Sequence, residues 1–99
     1  NRAWSAEYRA RLRAEMIAAY GGRCACCGEA EEAFLQLDHV ENDGHLDRKA
    51  HKTSAKLFAV LKRLGWPRDR YQLLCANCNF GKLMNGGVCP HQQKEAAYA

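Results

Sequence analysis

No stretch of this chain approaches the roughly 20 consecutive apolar residues that a bilayer span requires, and no signal-peptide pattern opens it. Internal repeats and low-complexity segments are absent too. A membrane-spanning protein, an exported scaffold and a repeat array are therefore poor fits. Apolar residues are not lacking: 47% are hydrophobic, which argues against disorder. What the chain lacks is bulk. Its 99 residues make one small domain. A domain of this size buries about two-thirds of its unfolded surface, so its core is marginal and leaves room for a staple.

Charge is unevenly spread. From Glu29 to Asp47 there are seven acidic residues and no Lys or Arg, whereas Arg48 to Arg70 carries eight basic residues and one acid, Asp69. The net charge is only +4, yet this segregation implies an electropositive surface beside an acidic site. A set of solvated helix faces explains a basic stretch equally well, so charge alone decides little.

Residues 4 to 20 read as an amphipathic helix, with Trp4, Tyr8, Leu12 and Met16 at every fourth position and Ile17 and Tyr20 continuing the stripe. Ser5 suits the N-cap, Glu7 and Arg11 form an i,i+4 pair, and Gly21-Gly22 ends the helix. Arg9 and Arg13 share another face. Residues 24 to 28 form a tight turn, and residues 33 to 39 read as a strand ending in polar residues. The segment from Glu41 to Lys52 is polar and expected to be irregular. A second helix opens at Thr53 or Ser54 and closes at Gly65, with Pro67 beyond it. Its apolar face is Leu57, Phe58, Leu61 and Leu64, and Lys56, Lys62 and Arg63 lie on another. Tyr71 to Cys75 is a short strand, and Asn77 to Met84 a short helix stopped by Asn85-Gly86-Gly87.

Six cysteines could be disulfides or metal ligands. Their spacing favours metal: Cys24 with Cys27 and Cys75 with Cys78 are two C-x-x-C pairs. Each such turn brings two thiolates to one tetrahedral ion at about 2.3 Å, and two turns complete a closed, four-sulfur structural zinc site. That site joins the end of the first helix to the second strand across 47 intervening residues. With no open position it is not catalytic. Cys26 reads as a spare thiol. Cys89, in Cys-Pro-His, reads as packing or capping near the C-terminus, with a further ion held alongside His91 as the lesser alternative.

The order C-x-x-C, then Asp38-His39, then Leu-Leu-Cys75-x-x-Cys78-Asn79 resembles the HNH endonuclease family, over roughly residues 20 to 91. The strings Tyr-Gly-Gly-Arg-Cys-Ala-Cys-Cys-Gly-Glu and Gly-Val-Cys-Pro-His look like small HNH proteins of phages and bacteria. The resemblance implies His39 as general base, Asp38 as acidic metal ligand and Asn79 as a further ligand, in a site where two strands and a helix grip one divalent metal. The middle Asn of the family motif is missing: Arg70-Tyr71 stand where the second strand starts. Asn42, Asn77 or a backbone group are the possible substitutes for its bracing role.

The chemistry is coherent on its own terms. A phosphodiester is anionic and its alkoxide leaves poorly, so an ion held by oxygen ligands helps at both atoms. A carboxylate and an amide oxygen suit a hard ion, Mg²⁺ or Mn²⁺. Imidazole titrates near neutrality, so His39 can accept a proton from water. Because neighbours on a strand point to opposite faces, Asp38 and His39 can serve one phosphate only where the strand bends or ends. Glu41, Asp43, His45 and Asp47 read as solvated loop residues.

The expected fold is α+β: a small zinc-stapled ββα-metal domain with an N-terminal helix and a helix inserted between the strands. Residues 1–99 form one domain, divided into the helix (1–20), the knuckle and metal core (21–91) and a tail (92–99). The expected function is DNA endonuclease, with double-stranded DNA as substrate, structural Zn²⁺ and a catalytic Mg²⁺ or Mn²⁺ as cofactors, and Lys56, Lys62, Arg63 and Lys82 as phosphate contacts. By family analogy, packaging or DNA-processing proteins of a phage are partners, and the location is the cytoplasm of a bacterium or infected host. The rivals are a non-catalytic zinc module that binds nucleic acid or protein and, less well supported, a disulfide-linked secreted scaffold.

Overall fold

The computed structural model describes residues 4–50 and 53–92, without the side chains of His45, Asp47 and Arg48. The expected tail beyond residue 92, residues 1–3 and 51–52, and the loop side chains His45 and Asp47 lie outside the described residues.

Helix α1 (Ala6–Ala19) starts where Ser5 Oγ accepts the Tyr8 N–H at 3.1 Å, satisfying one of the first-turn donors that helix geometry orphans. At its other end Gly22 N–H bonds the Ile17 carbonyl and Gly21 N–H the Ala18 carbonyl. This is a Schellman closure, and Gly21, at φ 102°, takes the left-handed conformation that it needs. The expected stripe is real at its centre: Leu12, Met16 and Ile17 are buried.

After a 3₁₀ turn at Glu32–Phe34, strand β1 (Leu35–His39) pairs antiparallel with β2 (Tyr71–Cys75) in a two-stranded sheet. Leu35 lies opposite Cys75, Asp38 opposite Gln72 and His39 opposite Tyr71. Leu12, Met16, Leu35, Leu73 and Cys78 are the largest fully buried side chains, so the core lies where α1, the sheet and the cysteines meet. The knuckle docks directly on β2, because the Ala25 N–H donates to the Leu73 carbonyl at 2.8 Å.

Two expectations need correction. The segment after β1 is not irregular throughout: Gly44–Ala50 forms α2. Its first turn closes with Leu46 N–H on the Asp43 carbonyl, but Leu46 is 53% exposed, so no hydrophobic pattern announces this helix. The second expected helix is α3 (Ser54–Arg63), capped by Thr53 Oγ1 as anticipated. Its buried side is Ala55, Phe58 and Leu61, while Leu57 is half-buried and Leu64 is 67% exposed. Leu64 sits at the C-cap, where the chain has already left the helix. Helix α4 (Ala76–Met84) follows β2 without a linker. Among the described residues no helix is long and apolar enough to cross a membrane.

Candidate metal centre and adjoining cleft

Cys24, Cys27, Cys75 and Cys78 come together as expected, with their sulfurs within 4.8 Å of one another. Cys27 Sγ lies 3.6 Å from Cys75 Sγ. Each C-x-x-C turn also aims a backbone N–H at its first sulfur: Cys27 N–H donates to Cys24 Sγ and Cys78 N–H to Cys75 Sγ, both at 3.5 Å. Cys75 thereby caps α4, where the helix dipole favours a thiolate. These cysteines can hold a metal ion, and a four-thiolate set suits structural zinc.

The environment pulls the thiols apart in acidity. Burial works against the Cys24 thiolate, but backbone N–H groups led by that of Cys27 outweigh it and bring Cys24 down to about 7. Burial and the neighbouring thiols push Cys78 up. So many thiolates in one place repel each other unless a cation is shared among them.

Beside this centre an open cleft of about 1150 Å³ is lined by Asp38 and His39 at the end of β1 and by Asn79 of α4. The strand stops where the sequence required. Val40 N–H reaches back to the Arg70 carbonyl and Asn42 N–H to the His39 carbonyl, turning the chain. The His39 ring meets Tyr71 edge-on at 5.0 Å. Asn79 Nδ2 donates to Gln36 Oε1 at 2.6 Å, which leaves Oδ1 as the acceptor of that amide. Asp38 is 6% exposed. Gln72 Nε2 and Lys82 Nζ both donate to its Oδ2, at 2.8 and 2.6 Å, leaving Oδ1 as the oxygen able to ligate.

No protein-family model, curated protein or solved structure matches this chain.

Lys82 departs most from expectation. It is 7% exposed, and its ammonium bonds Asp38 Oδ2 and the His39 carbonyl, the latter at 2.8 Å. It is a buried clamp on the end of β1, at the wall of the cleft. Removing one member of a buried pair strands the other's charge, so Lys82→Met should cost about 3 to 5 kcal/mol in urea unfolding. The double change Asp38→Asn with Lys82→Met should cost clearly less than the two single changes added together. Strict additivity would mean that the pair does not act as a unit.

The other expected phosphate contacts lie apart from the cleft. Lys56, Lys62 and Arg63 line a separate depression with Trp4 and Tyr8, and Lys62 pairs with Glu15 of α1 at 3.0 Å. Among the described residues, the Arg and Lys side chains that line the cleft, besides Lys82, are Arg9 and Arg13. Their shared face was visible in the helical pattern, but nothing local says what it faces. Arg13 is held by the carbonyls of Glu32 and Leu35, at 2.9 and 2.7 Å. Asp43 pairs with Arg70.

Cys26 differs from the reading of a spare thiol, and Cys89 and His91 fit the lesser alternative of a further ion better than simple packing. Cys26, Cys78, Cys89 and His91 bring their ligand atoms within 4.8 Å of one another. Spacing could not reveal this group, because Cys26 and Cys89 have no C-x-x-C partners of their own.

Proposed function

We propose that this protein is a metal-dependent endonuclease of the HNH type that hydrolyses phosphodiester bonds in DNA, with duplex DNA as substrate. The supporting observation is convergence: Asp38 and His39 from a strand end and Asn79 from a helix some 40 residues on line one cleft beside a cysteine centre. A single divalent ion would supply charge neutralisation at the scissile phosphate and the departing oxygen. Asp38 and Asn79, each through Oδ1, would hold it, an all-oxygen set that suits Mg²⁺ or Mn²⁺. His39 accepts the proton of the attacking water. The Lys82 ammonium and the Asn42 N–H on the His39 carbonyl brace the turn that carries this base, the task given to the missing middle Asn. Arg9 and Arg13 set a positive wall for the phosphate backbone.

One observation favours a second reading. The buried Lys82–Asp38 pair already neutralises the carboxylate, as it would in a zinc module that binds nucleic acid without cutting it. Plasmid cleavage across a panel of divalent metals separates the two readings, since the module cuts with none of them.

DNA placement has its own test. If the backbone reaches α3, neutralising Lys56, Lys62 and Arg63 to Gln should flatten the salt dependence of binding, by roughly 0.9 in log–log slope per lost phosphate contact. An unchanged slope means that the DNA keeps to the Arg9 and Arg13 side.

A further inference from the structure

Cys78 belongs to both cysteine groups. It is the only donor they share. It is fully buried, and its sulfur lies within 4.8 Å of those of Cys24, Cys27 and Cys75 and also of the ligand atoms of Cys26, Cys89 and His91. The second group has the dimensions of a metal site. His91 Nδ1 lies 3.5 Å from Cys78 Sγ, 3.4 Å from Cys89 Sγ and 3.7 Å from Cys26 Sγ. A tetrahedral zinc with Zn–S of about 2.3 Å and Zn–N of about 2.0 Å sets neighbouring donors roughly 3.5 to 3.8 Å apart.

Packing alone does not account for this arrangement. A ring nitrogen of neutral imidazole donates or accepts one hydrogen bond, yet Nδ1 of this exposed histidine is aimed at three sulfurs together. A shared cation satisfies all four atoms. The segment is also held in place by design of the chain around it. Gly87 N–H bonds the Lys82 carbonyl as α4 ends, turning the chain back, and a Cβ at Gly81 would stand 3.0 Å from Pro90 Cδ. Cys89 is buried as a result, and a single turn closes through Gln92 N–H on its carbonyl.

We propose that the six cysteines and His91 form one two-zinc cluster bridged by the Cys78 sulfur. Cys24, Cys27, Cys75 and Cys78 hold one ion, and Cys26, Cys78, Cys89 and His91 hold the other. Loading the second ion releases the thiol protons of Cys26 and Cys89, Cys78 having lost its own to the first ion. His91 ligates through Nδ1 as a neutral ring and keeps its proton on Nε2. Two new thiolates balance one new dication, so the cluster carries the same formal charge with two ions as the four-cysteine site does with one. Its role is structural: it ties the middle of the knuckle and the segment after α4 to the helix that carries Asn79 and Lys82. The cluster stands whether or not the chain cuts DNA.

The test is zinc content per chain in reduced protein, together with NMR of the ¹¹³Cd-substituted form. About two zinc ions per chain are expected in the native protein, and about one in His91→Ala and in the double change Cys26→Ser with Cys89→Ser, helical circular dichroism being retained. His91→Cys should restore the second ion. Two ¹¹³Cd resonances split by coupling to each other would establish the bridging sulfur. One zinc in the native protein, or a Cys26–Cys89 disulfide in freshly reduced and zinc-loaded material, overturns the cluster. Two resonances with no mutual coupling overturn the bridge. Should every variant fail to fold, the native stoichiometry and coupling still decide.

Discussion

Cys75→Ser should leave most of the chain unfolded even with zinc in excess. Three structural duties meet at this residue. It ends β2 opposite Leu35, its sulfur caps α4, and it lies 3.6 Å from Cys27 in the four-cysteine centre. Serine can repeat the cap but cannot replace a thiolate on zinc. Apparent binding free energies at structural zinc sites run to about 10 to 16 kcal/mol, and in such sites that energy is folding energy. A whole domain is stable by only about 5 to 15 kcal/mol, so losing much of the zinc term exceeds what this small core supplies. The native protein should likewise unfold in a strong chelator and refold when zinc is returned. Far-ultraviolet circular dichroism with metal analysis checks both. A cooperative melt at the native temperature in zinc-free protein would show that the core stands without its staple.

His39→Ala should lower DNA cleavage by roughly 10² to 10⁴, the usual contribution of a positioned general base, while DNA and metal binding persist. The half-buried ring is not a core side chain and contacts Tyr71 at its edge, so the fold should survive its loss. Asp38→Ala should fail in a different way. It removes the carboxylate ligand, so added metal should restore part of the activity; it also strands the Lys82 ammonium, so the fold should lose stability in parallel. Asp38→Asn keeps the shape, and comparing the two separates ligand loss from fold loss. Rates at saturating DNA over a metal titration distinguish the base from the ligand. If His39→Ala cuts as fast as the native protein, His39 is not the base. If no metal supports cutting while DNA still binds, the non-catalytic module becomes the better account.

Much of the architecture was legible because its signals are local. Ser5 and Thr53 cap their helices by accepting an N–H three residues ahead, and that bond depends on little beyond the turn itself. Gly21-Gly22 closes α1, β2 ends at Cys75 as read, and two C-x-x-C turns bring together four sulfurs able to hold a metal ion, as their spacing implies. The same reasoning misjudged α2, whose apolar residue is not buried, and Leu64, whose helical position is lost at the cap.

What lay beyond the sequence is what depends on the docking of distant segments. A lysine one turn past Asn79 looks the same whether it reaches phosphate or Asp38. Only the placement of α4 against the end of β1 buries it beside the carboxylate, where desolvation makes the ion pair compulsory. Arg9 and Arg13 share a face by helical period, but the rotation of α1 on the sheet turns that face to the cleft. Cys26 and His91 are 65 residues apart, and the Cys89-Pro-His91 spacing by itself names no further ligand. They meet because the knuckle docks on β2 and the chain after α4 folds back past Gly81. Short-range hydrogen bonds and periodicity determined the elements; long-range packing determined which charges and which sulfurs face one another.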